Sequence, residues 1–156
     1  MSISVRQAGV EDIDVLVKLR IAFVEELKTG EPAVSADEFA ASVRESILSM
    51  TAAGDLVSWL AEVDGEPVGV SMVAFQHRPP SYSNVTGVEA YVMNVYTAPE
   101  WRGRGIATRL VGTLLGHVRS TDARVASLHA TEQGRSVYEK LGFKATDKAM
   151  MMRIAE

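Results

Sequence analysis

The sequence contains no cysteine. That absence excludes a disulfide framework, a thiolate nucleophile and any cysteine-ligated metal. Histidine is scarce as well: His77, His117 and His129 lie far apart and show no H-x-x-x-H spacing, so no metal site is expected. Positive charge is not in excess, since sixteen Lys and Arg face twenty Asp and Glu for a formal net charge of −4. A general nucleic-acid binder usually presents a broad basic face, and this balance argues against one. No apolar run approaches the length of a membrane span. The start, "MSISVRQAGVEDID", lacks the basic and then apolar stretches of a signal peptide. A cytoplasmic protein is therefore expected, with neither nucleic acid nor membrane as partner.

What is present fits one domain over residues 1–156, because 47% hydrophobic and 23% charged residues can enclose a sizeable core. "ISVRQA" alternates and predicts a first strand. A helical stripe follows at Ile13, Leu16, Val17, Phe23, Val24 and Leu27, broken by Gly30 and Pro32. Ser35 and Glu38 form an S-x-x-E capping box opening a second helix, with Phe39, Val43, Ile47 and Met50 inward and Gly54 at its end. "LVSWLAEVDGEPVGVSMVAFQ" predicts a hairpin turning at Asp64-Gly65, a dipeptide that tolerates positive backbone angles. The polar "HRPPSYSNVTG" reads as a loop, and a long loop in a compact domain is often functional. "VEAYVMNVYT" returns to strand. A third helix buries Ile106, Leu110, Val111, Leu114 and Val118. "RVASLHA" predicts a fifth strand, "TEQGRSVYEKLGF" a short helix capped by Thr131 and closed by Gly142, and "FKATDKAMMMRIA" two last strands. His77 and His117 read as surface residues. The order is β-α-α-β-β-β-α-β-α-β-β, a mixed α/β sheet with helices.

The most informative stretch is "YTAPEWRGRGIATRLVGTLL", in which two arginines and two glycines stand where a strand gives way to a helix. The first N–H groups of a helix have no internal partner and sit at its positive dipole end. Glycine lets such backbone approach a ligand, and Arg102 and Arg104 can add charge, so the stretch reads as an anion site. A Walker A loop needs G-x-x-x-x-G-K-[ST], which the chain does not contain. The dinucleotide pattern G-x-G-x-x-G/A runs from Gly103 and Gly105 onto Thr108, and only about 40 residues follow this helix, too few for that fold. Glycines that merely end a strand would account for one of the pair.

"RGRGIA", Arg102 to Ala107, matches Q/R-x-x-G-x-G/A and resembles the pyrophosphate loop of the GNAT superfamily of acyl-CoA N-acyltransferases. About 30 residues later "VYEKLGF", Val137–Phe143, resembles that family's second signature. The order of elements is similar too, so the resemblance spans essentially the whole chain. It implies a GNAT-like fold: a central mixed, mostly antiparallel sheet, splayed between strands 4 and 5, with helices on both faces. It also implies acetyl-CoA as co-substrate, bound by Val95, Tyr96 and Thr97 at the strand edge and by backbone amides of Arg102, Gly103, Arg104, Gly105, Ile106, Ala107 and Thr108. The Val95 N–H would face the developing oxyanion. Tyr138 falls at the family's general-acid position, where a phenol is protonated at neutral pH; the other reading is a tyrosine packed for its ring. For the base, His129 in "SLHAT" and Glu89 near the start of the fourth strand both stand as candidates. Imidazole suits this chemistry, although His129 reads equally as a packed strand residue and Glu89 as a solvated strand end. The connection "ATEQGRS" departs from an asparagine-containing loop frequent in the family, so no asparagine role carries over.

The implied reaction is acetyl transfer from acetyl-CoA to a primary amine of a small molecule or peptide. The alternative is a domain that binds acyl-CoA without turnover, as sensor or structural subunit. With no cysteine, and with Ser136 lacking a histidine at a helical neighbour position, no side chain is an evident acetyl carrier; direct attack in a ternary complex follows. The first two helices and "HRPPSYSNVTG" are expected to shape the acceptor side. The mildly acidic balance admits a cationic acceptor. The resemblance also admits a homodimer.

Overall fold

The computed structural model describes residues 2–27 and 30–155. The alternating start forms β1 (Ile3–Gln7), and the first amphipathic stripe forms α1 (Ile13–Leu27), entered through a single 3-10 turn. Ser35 caps α2 (Ala36–Ala52): its side chain accepts the Glu38 N–H while Glu38 returns to the Ser35 N–H, the reciprocal pair expected from S-x-x-E. The hairpin pairs β2 (Leu56–Val63) with β3 (Glu66–His77). It turns on Asp64 and Gly65, both at positive φ (51° and 82°), as a two-residue turn matching strand twist requires. Then come β4 (Val88–Thr97), α3 (Ile106–Val118), β5 (Val125–Ser127) and α4 (Arg135–Lys140).

The strands form one sheet in the order β1-β2-β3-β4-β5, antiparallel except for the parallel pair β4–β5. Each face carries its own core. Ile13, Leu16 and Leu19 of α1 and Val43 and Ile47 of α2 pack on Leu60, Val70 and Met72. On the other face Ile106, Leu110, Val111, Leu114 and Val118 of α3 pack on Trp59, Ala61, Val73 and Val92. The third helix thus buries every position its periodicity marked.

Two features place the site. First, β4 and β5 pair only over Glu89–Tyr91 and Val125–Ser127, after which β4 runs on to Thr97 with no paired strand on that side among the described residues. The sheet is splayed there. Second, Met72 opposes Met93 while Val70 opposes Tyr96, so Ser71 faces two residues, Asn94 and Val95. This is a β-bulge, and it takes one backbone unit out of the ladder. Asn94 supplies the kink with φ of +51°, a conformation that asparagine tolerates better than most side chains.

Three expectations need correction. The strand predicted over residues 124–130 shrinks to three residues, because Leu128–Ala130 leave β4 to open the cleft. The two strands expected in "FKATDKAMMMRIA" are absent among the described residues; residues 144–155 are exposed, Met150 at 98%. Their apolar residues are consecutive rather than alternating, and β5 offers only a three-residue edge to pair with. His117, read as a surface residue, is half-buried against Trp59 in an edge-to-face pair with centroids 5.3 Å apart.

Candidate active site

A cleft of about 650 Å³ opens where β4 and β5 part. Its walls are β4 from Tyr91 to Thr97, the turn and first residues of α3, the segment after β5 with the start of α4, and one face of α1. Val95, Tyr96, Thr97, Arg102, Gly103, Gly105, Ile106, Ala107, Thr108, His129 and Tyr138 all line it. The bulge reverses side-chain facing along β4. Val92 and Val95 pack with the α3 core, whereas Met93 and Tyr96 pack with the α1–α2 core. One strand therefore serves both faces of the sheet around its irregular point.

At the α3 end, Gly103 and Gly105 both adopt positive φ (77° and 78°), and Gly105 is the N-cap. The glycine pair is thus needed for chain direction as well as for close approach. A Cβ at either position would meet nothing within 4 Å, so the backbone here is open to a ligand. The Gly105 carbonyl accepts the Arg109 N–H, which leaves the amides of Ile106, Ala107 and Thr108 ahead of the first intrahelical bond. These features fit a pyrophosphate. The two arginines are differently placed from the sequence expectation. Arg102 donates to the Thr97 carbonyl (2.9 Å) and to Glu26 of α1 (2.7 Å), and its guanidinium lies over Tyr96. That pairing raises its pKa and neutralises its charge locally. Arg104 lies over the Trp101 ring at 4.7 Å and is not among the lining residues. The loop's anion-binding capacity rests on its backbone.

At the other end, Tyr138 is half-buried, edge-to-face with Phe143, and burial pushes its pKa above the ordinary phenol value. Thr131, predicted to cap the helix, caps the turn before it: its hydroxyl and carbonyl both accept the Gly134 N–H. His129 faces Tyr91, with Nδ1 and the phenol oxygen 2.8 Å apart. Glu89 is not brought to the cleft. It accepts from Ser127 (2.7 Å) and pairs with Arg78 (3.1 Å) beside the short β4–β5 ladder, at the end of the sheet that does not splay.

Arg20 and Glu26 of α1 and Tyr91 and Asn94 of β4 also line the cleft, a role that no local pattern in the sequence marks. Phe23 and Leu27, expected on the inward stripe, are half-buried and exposed respectively, because the last turns of α1 border the cleft. The loop "HRPPSYSNVTG" and α2 contribute no lining residue. The loop is tied down at the paired end of the sheet, where Thr86 donates to the Asp122 carbonyl.

Residues 21–143 match the family described as the acetyltransferase (GNAT) family. The chain belongs to the GNAT acetyltransferases. A predicted acetyltransferase from Clostridium acetobutylicum, solved with acetyl-CoA, is 30% identical and superposes with a TM-score of 0.88 over 98% of this chain and 97% of that one. A GCN5-related N-acetyltransferase from Ralstonia eutropha JMP134 shares the fold at 24% identity and a TM-score of 0.84, over 99% of this chain and all of that one. Thialysine N-epsilon-acetyltransferase of Sus scrofa is 28% identical over 97 residues, 60% of this chain. The chain spans 57% of the length of that relative and 53% of its Bos taurus counterpart. No described helix is long and apolar enough to cross a membrane.

Proposed function

We propose that residues 1–156 act as one acetyl-CoA-dependent N-acetyltransferase domain, moving an acetyl group to a primary amine by direct attack. The observation that carries this reading is the continuity of the cleft. The open backbone at Gly103–Thr108, the bulge at Asn94–Val95 and the pair Tyr138 and His129 border one space. When bound, acetyl-CoA supplies an activated acetyl thioester. The amides from Arg102 to Thr108 hold its pyrophosphate, and Val95, Tyr96 and Thr97 offer strand edge to its extended arm.

The chain's own groups then have distinct tasks. The Val95 N–H, at the bulge, would face the carbonyl oxygen on which negative charge develops; such a preorganised donor contributes ~3 kcal/mol. Tyr138 supplies a proton to the departing thiolate, and its raised pKa keeps the phenol protonated for that step. His129 takes the amine proton. With Nδ1–H donating to the Tyr91 oxygen, Nε2 carries the free lone pair that a base requires. Glu89, engaged with Ser127 and Arg78, is left out of this scheme.

The test combines calorimetry of acetyl-CoA binding with release of free CoA thiol across a panel of primary amines. Amine-dependent thiol release is expected, with intersecting lines in two-substrate kinetics. Tight acetyl-CoA binding without turnover on any amine would favour the sensor alternative. Parallel lines with an isolable acetyl-protein would reject direct transfer.

A further inference from the structure

Arg20 occupies the middle of α1, on the face that borders the cleft. A half-buried guanidinium ordinarily has a carboxylate beside it, since an arginine carries its charge wherever it is put. Among the described residues Arg20 has none. Its one hydrogen bond runs from Nη1 to Asn94 Oδ1 at 3.1 Å, and the Phe23 ring lies 6.0 Å from its guanidinium carbon. The remaining N–H groups of the fork are uncommitted. Beside it the Asn94 amide nitrogen, fully buried, has no acceptor either. Desolvation presses the Arg20 pKa below its ordinary value; the Tyr91 phenol opposes the shift, and no carboxylate does.

The contrast with Arg102 is informative. That arginine lines the same cleft and is satisfied by Glu26, the one carboxylate among the lining residues. Glu26 lies six residues after Arg20, roughly 9 Å along the helix. The unmatched charge therefore sits away from the phosphate-binding turn, beside the bulge where the acetyl group would be transferred. There it is poorly placed for the pyrophosphate and well placed for the acceptor.

We propose that Arg20 is a specificity residue which binds an oxyanion on the acceptor, so that the preferred substrates are amines bearing a carboxylate or phosphate group. This rests on the acetyltransferase reading and narrows it, because polycationic amines would meet an unpaired positive charge. The planar fork accepts a carboxylate or phosphate through two parallel hydrogen bonds.

Matched pairs of acceptors give the test: lysine against 1,5-diaminopentane, β-alanine against ethylamine, and O-phosphoethanolamine against ethanolamine. In the parent the member bearing the carboxylate or phosphate should, in at least one pair, have a kcat/KM on the order of tenfold to a hundredfold higher. Arg20→Gln should erase that ratio through the amine KM, leaving the acetyl-CoA KM unchanged. Arg20→Lys should keep part of it, as the charge remains and the fork does not. A merely structural role would depress acceptors with and without the oxyanion alike. Equal or greater activity on every member lacking the oxyanion, a ratio that survives Arg20→Gln, or a raised acetyl-CoA KM instead would overturn the proposal. Binding of Nε-acetyl-lysine and N-acetyl-1,5-diaminopentane, read by calorimetry, separates the two claims. Arg20-dependent preference for the carboxylate without turnover would sink the acetyltransferase reading and keep the anion site. No preference in binding, with turnover intact, would do the reverse.

Discussion

At the scale of single residues, the cleft divides its polar groups into those already matched and those left over. Arg102 and Glu26 satisfy each other, as do Tyr91 and His129. Tyr138 keeps a ring contact with Phe143 and has no hydrogen-bond partner for its hydroxyl among the described residues. Tyr138→Phe retains the ring and removes only that hydroxyl. We expect turnover to fall on the order of a hundredfold, the usual scale for losing a general acid, while acetyl-CoA affinity measured by calorimetry stays within about twofold. Because burial raises the phenol's pKa, the deficit should be constant between pH 6 and 9. Wild-type turnover in the variant would make Tyr138 a packing residue.

At the scale of elements, the turn before α3 bears the sharpest demand. Gly105→Glu introduces a strained positive-φ position, costing about 1–2 kcal/mol, and a negative charge where an anion is to bind. Since a Cβ there meets no protein atom, the domain should fold with a modestly lowered melting temperature and lose acetyl-CoA binding. Undiminished affinity by calorimetry would relocate the pyrophosphate. This turn was legible in the sequence, since glycine, proline and helical periodicity are local signals. The capping box of α2 and the Asp64-Gly65 hairpin were legible for the same reason. Arg20, Asn94 and Tyr91 were not. Each gains its meaning from a partner 38 to 74 positions away, which no local pattern reports. The arginines of "RGRG" show the converse: local sequence marks their charge, but Glu26 and Trp101 take up the guanidinium groups.

At the scale of the whole molecule, β1 is fastened by one bidentate arrangement. Arg6 reaches both oxygens of Asp12 (2.9 and 2.8 Å) and also Glu62 on β2 (2.8 Å). The Arg6 hydrogen bonds, aided by the Gly9 N–H, lower the Asp12 pKa to about 2. A carboxylate depressed in the folded state adds stability above its unfolded value, near 4, and loses it as pH falls towards 2. Arg6 is partly exposed, so solvent screening reduces the contribution to about 1–2 kcal/mol. Asp12→Asn should therefore lower urea-derived stability by that amount at pH 7, with the gap to the parent closing between pH 4 and 2. A gap that stays constant into acid would show that Asp12 acts through packing rather than charge.

The bulge at Asn94 also changes how insertions and deletions in β4 should be counted. Remove Asn94 altogether and Met93, Val95 and Tyr96 alternate regularly, each still on the face it now occupies, with Val95 set opposite Ser71. The core registers nothing missing. What disappears is the extra backbone unit and the contact with Arg20. Most single deletions inside a strand invert every side chain beyond them. This one deletes no more than the interruption, so the shortened chain should fold and bind acetyl-CoA yet transfer no acetyl group. In β4 the chain spends one residue on being out of step, and that residue can be subtracted without disturbing the pattern around it.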